Sequence, residues 1–146
     1  MQNAKIIPRF AALLFTVCLL FGCATADFAQ TADSATTAIA LQSGFSEGNP
    51  IFNGAAWPVI AGVKFGVTQV AKTLPDPYCE AALFGLTIGG FGAAIWNIGV
   101  LAGSCVVAIP IIAVSTLVLW DTWSKHAKRD CIEAKEFINS MASDEQ

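Results

Sequence analysis

Charge is what this sequence has least of. Only 13% of its 146 residues are Asp, Glu, Lys or Arg, about half the share of an ordinary soluble domain. Eight scattered Lys and Arg residues cannot build the basic face that nucleic acid requires. There is one histidine, His126, in a charged tail, where it reads as a solvated side chain. No Ser or Cys has a neighbouring base, and no apolar span carries a second histidine or paired carboxylates. A catalytic set is therefore missing, and the chain reads as a non-enzyme. None of the five cysteines forms a C-x-x-C pair, so neither a zinc site nor any other cofactor is expected.

Apolar residues are what remains. They make up 55% of the chain, and the mean hydropathy is +0.60. That excludes a disordered chain. The length suits one domain, and its solvent is largely lipid. The charges that exist are clustered. Lys5 and Arg9 open the chain, residues 81–120 carry none, and the tail after residue 120 is dense with them. The formal net charge of −3 therefore describes loops and tail rather than a charged partner.

Lys5 and Arg9 precede a run of twelve apolar residues, 10–21. That run fits the core of an export signal and is too short for an ordinary span. Leu20-Phe21-Gly22-Cys23 resembles a bacterial lipobox, in which the Cys23 thiol would be lipidated. Ala24-Thr25-Ala26 is an A-x-A site for ordinary signal peptidase. Lipidation at Cys23, cleavage after Ala26 and an uncleaved anchor all remain open. All three bring the following residue out on the periplasmic side. The expected location is the bacterial inner membrane, with a lipid anchor on its periplasmic side if Cys23 is modified.

Residues 24–43 are rich in Ala and Thr, and Gln30, Asp33 and Thr37 share one helical face. Asp27 and Asp33 make this a poor lone span, so it is expected as a helix packed against others. Gly44 is its natural C-terminal stop. Residues 54–73 are apolar enough to span, with Lys64 near their middle. Residues 81–120 would measure about 60 Å as one helix, twice a hydrocarbon core of about 30 Å. They read as a hairpin of spans 81–101 and 105–120, turning at Gly103-Ser104, with a kink at Pro110. Trp120 and Trp123 mark the interface. The tail continues as an amphipathic helix, with Trp123, Ala127, Cys131, Ala134 and Ile138 on one side.

The expected fold is thus an all-α integral membrane bundle. It comprises a signal region, 1–23; a helical membrane domain, 24–120, with three firm spans and the packed helix 24–43; and a charged tail, 121–146. Gly62 and Gly66 form a small-xxx-small pair, and Gly85, Gly92 and Gly99 recur every seven residues along the first hairpin arm, with Gly89 and Gly103 beside them. These are expected helix contacts, either to a second copy or to another membrane protein.

Lys64 in mid-span needs a partner. Asp33 lies about eleven residues before the turn and Lys64 about ten after it, so antiparallel packing brings both to about 15 Å depth. Glu47 and Asn49 are expected to cap helix ends in the intervening loop, and Pro50 biases Asn49 to extended backbone. A structural pair that sets helix register is the preferred reading. An ion or proton pathway through Asp33, Glu47 and Lys64 is the alternative. Cys79 and Cys131 flank the hairpin and so face one side. They would form a disulfide if that side is periplasmic and stay reduced if it is cytoplasmic.

The segment Asp33, Thr37, Leu41, Gly44, Glu47-Gly48-Asn49-Pro50 and Lys64 resembles the DUF5658-like group of small bacterial membrane proteins. That resemblance implies an Asp-bearing first helix, an E-x-N-P turn and a Lys in the second helix. It implies architecture and no activity. The expected role is a small subunit or assembly factor of the envelope.

Overall fold

The computed structural model describes residues 25–144. The signal region and Cys23, the lipidation candidate, lie outside the described residues. Among the described residues there are four α-helices: α1 Ala26–Gln42, α2 Trp57–Lys72, α3 Tyr78–Leu101 and α4 Cys105–Asp144. A 3-10 turn, Pro50–Phe52, interrupts the α1–α2 loop. There is no strand among the described residues.

Local chemistry sets the boundaries. Thr25 opens α1, its hydroxyl accepting the Phe28 N–H at 3.2 Å. Gly44 closes α1 at φ +88°. The Gly44 N–H donates to Leu41 O and the Phe45 N–H to Ala40 O, which is a Schellman close. Gly103, at φ +72°, closes α3 in the same way, through Val100 O and Gly99 O. α2 begins with Pro in its first turn, where no N–H is missed. α4 runs unbroken for 40 residues through Pro110 and past residue 120. The expected arm 105–120 and tail are therefore one helix.

α3 packs on all three other helices, most extensively on α1 and then on α4, and α1 packs next on α2. Ala26 of α1, Ala71 of α2, Cys79 and Leu83 of α3, and Ala127 and Cys131 of α4 form one buried cluster. The start of α1 therefore sits beside the end of α2, and the two helices run antiparallel along their whole length. A disulfide joins Cys79 and Cys131 at this end, with Cα atoms 6.1 Å apart. A second cluster gathers Ala29, Phe91 and Trp123.

One expectation is corrected here. Trp123 is not an interface anchor. It is 1% exposed and stacks on Phe91 with ring centroids 5.3 Å apart. Its spacing with Ala127 and Cys131, both buried, puts it on the core face. Trp120 does stay exposed, edge-on to Phe84. Within the bundle the close glycine contact of α3 is Gly90: Gly85 and Gly89 meet nothing within 4 Å, whereas a Cβ on Gly90 would meet Ala29 backbone at 2.8 Å. The buried stripe of α3 runs through Cys79, Leu83, Thr87, Gly90 and Ala94. Among the described residues one helix, Tyr78–Leu101, is long and apolar enough to cross a membrane.

Candidate functional site

A cleft of about 550 Å³ opens between the middle of α1, the loop after it, α2 and the second half of α3. Asp33, Glu47, Lys64, Trp96 and Asn97 line it. α1 presents Asp33 on the face it turns inward, four residues before Thr37. α2 runs antiparallel and presents Lys64 at the matching height. Lys64 Nζ donates to Asp33 Oδ2 at 2.5 Å, with side chains 15% and 7% exposed. The other carboxylate oxygen, Oδ1, accepts from Thr37 Oγ1 at 3.3 Å and from Asn97 Nδ2 at 3.3 Å. The Asn97 amide also faces Thr36 Oγ1 at 3.2 Å and Thr37 Oγ1 at 3.0 Å. Asp33 is thus held by an ammonium, a hydroxyl and an amide, which is what a buried carboxylate needs. Thr68, one turn from Lys64 on α2, is fully buried, and its hydroxyl donates to Lys64 O rather than to the pair.

Glu47 and Asn49 do not cap the α-helices. Glu47 Oε1 accepts the Asn49 N–H at 2.9 Å, and Asn49 Oδ1 accepts the Ile51 N–H at 3.0 Å. They brace the loop and start its 3-10 turn. The physical reason is distance along the chain: α2 begins only at Trp57, after Gly54 has reversed the backbone at φ +78°. Glu47 Oε2 is buried and accepts no hydrogen bond. Asp33, Glu47 and Lys64 therefore share one cleft, but Glu47 is not an ion-pair partner of Lys64.

Sequence reasoning missed Asn97. It is an amide inside an otherwise apolar helix, and a search for charge passes over it. A second polar contact was missed as well. Asp27 Oδ2 pairs with Lys72 Nζ, and Asp27 Oδ1 accepts from Gln69 Nε2 at 3.0 Å. Gln30, expected on the Asp33 face, reaches instead across to α3, where its Nε2 donates to Leu86 O at 2.7 Å. The α1–α2 seam thus carries two acid–lysine pairs.

At the disulfide end, Asp27, Lys72, Arg129, Asp130 and Phe137 border a second groove of about 560 Å³. Burial pushes the Asp130 carboxyl above the ordinary range, and Arg129 beside it and Lys72 beyond it pull the other way. Among the described residues no three His, Cys, Asp or Glu side chains gather to hold a metal. Gly62 and Gly66 of α2 and Gly85 of α3 are exposed and leave open space beside them, while Gly89 borders the cleft. No family model, curated protein or solved structure matches this chain.

Proposed function

We propose that this chain is a non-catalytic membrane protein of the bacterial envelope, acting through helix contacts as a small subunit or assembly factor. One observation carries the reading: α2 and α4 turn apolar side chains outward while polar side chains sit among the apolar ones inside. Val59, Val63, Val67 and Val70 of α2 are exposed, as are Ile109, Val114, Leu117 and Val118 of α4. Gln30, Asp33, Thr36, Thr37, Thr68 and Thr87 are buried. Water would penalise both halves of that arrangement, and hydrocarbon rewards both.

The same reading proposes a topology. α1 lies along the whole of α2, so if α2 crosses the bilayer α1 crosses with it. Four crossing helices then replace three spans with a docked fourth. Both α1 and α2 measure about 25 Å, a little short of the hydrocarbon core, which the bilayer accommodates by thinning. The disulfide favours an oxidising compartment for its end of the bundle. α1 begins at that same end, where an export signal over 1–23 would deliver it. The tail's basic residues weigh little against this orientation. Lys125 pairs with Asp121, and Arg129 with Asp130 and Glu133. Membership of the DUF5658-like group belongs to this proposal and rests on the motif residues alone.

The helix contacts would run through the outer face of α2. Val59, Gly62, Val63, Gly66, Val67 and Val70 recur at helical spacing there. The two glycines would let a second helix approach. The test is membrane fractionation with thiol labelling in intact cells. The protein should resist alkaline extraction, and Cys79 and Cys131 should react with an impermeant maleimide only after reduction. Release by alkali, or free thiols without reductant, refutes the reading. The cleft shared by Asp33, Glu47 and Lys64 favours one second reading, an ion- or proton-linked transporter. Gradient-driven flux in liposomes that Lys64→Met abolishes would support it.

A further inference from the structure

We propose that the cleft beside the Asp33–Lys64 pair binds a small organic amine as its N–H-bearing cation. The inference starts from charge. Asp33 and Lys64 neutralise one another, and Asp33 also takes two further donors. Glu47 is the remaining charge in the cleft's lining, so the site carries one uncompensated negative charge. A single positive charge brings it to neutrality.

Hydrogen bonding narrows the class. Glu47 Oε1 is engaged by the Asn49 N–H. Oε2 is buried without a donor, a state native structures rarely leave unfilled. Its complement is an N–H group, so the ligand is a primary or secondary ammonium rather than a quaternary one. Lys64 has donated one of its three N–H bonds to a side chain. Its ammonium can meet a hydroxyl or carbonyl on the same ligand.

Shape and surface separate an organic cation from a metal ion. The cleft, at about 550 Å³, is the size of a small-molecule pocket and far larger than a bare ion. Among the described residues no carboxylate cluster offers a metal its ligands. Trp96 and Phe45 border the cleft and are partly exposed. Their ring faces suit a cation and its apolar stem. Gly89 and Ala93 keep the α3 wall low between them. This site is independent of the envelope role proposed above, because binding requires no partner protein and no transport.

The test is calorimetric titration of the full chain in lipid nanodiscs with n-butylamine, phenethylamine, tetramethylammonium and sodium chloride. The two N–H-bearing amines should bind saturably at one site, phenethylamine the more tightly. Tetramethylammonium should bind at least tenfold more weakly, and sodium should not compete. Glu47→Gln keeps the oxygen that braces Asn49 but removes the charge, and it should weaken both amines at least tenfold. Trp96→Leu should remove the phenethylamine advantage. Intact helicity and the Cys79–Cys131 bond certify the fold of each variant. Absence of saturable heat overturns the proposal. So does binding that Glu47→Gln leaves unchanged, which would be partition into lipid. Equal affinity for tetramethylammonium overturns it without recourse to any variant.

Discussion

Replacing Gly90 by alanine should loosen the α1–α3 contact on which the bundle is built. A methyl at that position would stand 2.8 Å from the carbonyl carbon and oxygen of Ala29 and 2.9 Å from Gln30 Nε2. Comfortable carbon contacts begin at about 3.5 Å, so the helices must part by roughly 0.7 Å. The obstacle is backbone and cannot rotate away. Overpacking of this kind costs about 1–3 kcal/mol. The displaced Gln30 amide also strains its 2.7 Å bond to Leu86 O, worth about 1 kcal/mol. Against these stands the gain of alanine over glycine in a helix, about 1 kcal/mol. The net expectation is a loss of about 1–3 kcal/mol. Gly85, five residues earlier on the same helix, meets nothing within 4 Å, so Gly85→Ala should be neutral or stabilising by up to about 1 kcal/mol. Denaturation by SDS in mixed micelles, followed by far-ultraviolet circular dichroism, measures both. Adding Ala29→Gly to Gly90→Ala should not rescue it, because the clash is with main chain. A Gly90→Ala protein as stable as its parent, or glycine changes that move stability in the same direction, would refute the packing argument.

Lys64→Met should cost about 3–5 kcal/mol by stranding a buried carboxylate, and adding Asp33→Asn should recover most of it. A double variant no more stable than the worse single one means the pair contributes nothing. Burial raises the Asp130 carboxyl above its ordinary value, so its charged form opposes folding. Its contribution is best in acid and is lost as pH rises from about 4 through the folded value. Asp130→Asn should therefore stabilise the protein at pH 7, and the difference should vanish in acid; lower stability at pH 7 would mean that attraction to Arg129 outweighs burial. Opening the Cys79–Cys131 bond, whose sequence separation is 52, should cost about 4 kcal/mol by loop entropy. Reduction that leaves the SDS midpoint unchanged would argue that the fold does not depend on the bond. Gly62→Ile with Gly66→Ile should leave the monomer as stable as before, since a Cβ at either site meets nothing, while lowering any oligomer seen by sedimentation in detergent. An unchanged oligomer removes α2 from the interface.

The helices were legible because their punctuation is local. Gly44, Gly103 and the Pro-rich residues 74–77 act through backbone geometry that neighbours do not alter, and the expected spans 54–73 and 81–101 differ from the helices by three residues at most. The registry of Asp33 with Lys64 was legible too, because equal distance from one turn translates directly into equal depth. What escaped was which face each helix turns inward. A seven-residue glycine repeat and the stripe Cys79, Leu83, Thr87, Gly90, Ala94 both have helical spacing, and periodicity alone cannot choose between them. Trp123 escaped for a related reason. An aromatic at an apolar–charged boundary resembles an anchor until its partner Phe91, 32 positions earlier, is known.

The composition of α1 finds its explanation in that placement. Two aspartates, Gln30 and three threonines in a helix of 17 residues would be costly against lipid on every side. Between Ala26 and Ala40, however, only Thr31 and Ala35 are exposed. Asp27 and Asp33 meet Lys72 and Lys64 of α2, and Gln30 and Asp33 meet Leu86 and Asn97 of α3. Helices in hydrocarbon gain nothing by hiding apolar surface from one another, so close packing and polar contacts must hold them together. A helix so rich in polar groups is therefore suited to the interior, where its aspartates bind α2 and its Gln30 and Asp33 bind α3. The lipid-facing work falls to the valines and leucines of α2 and α4.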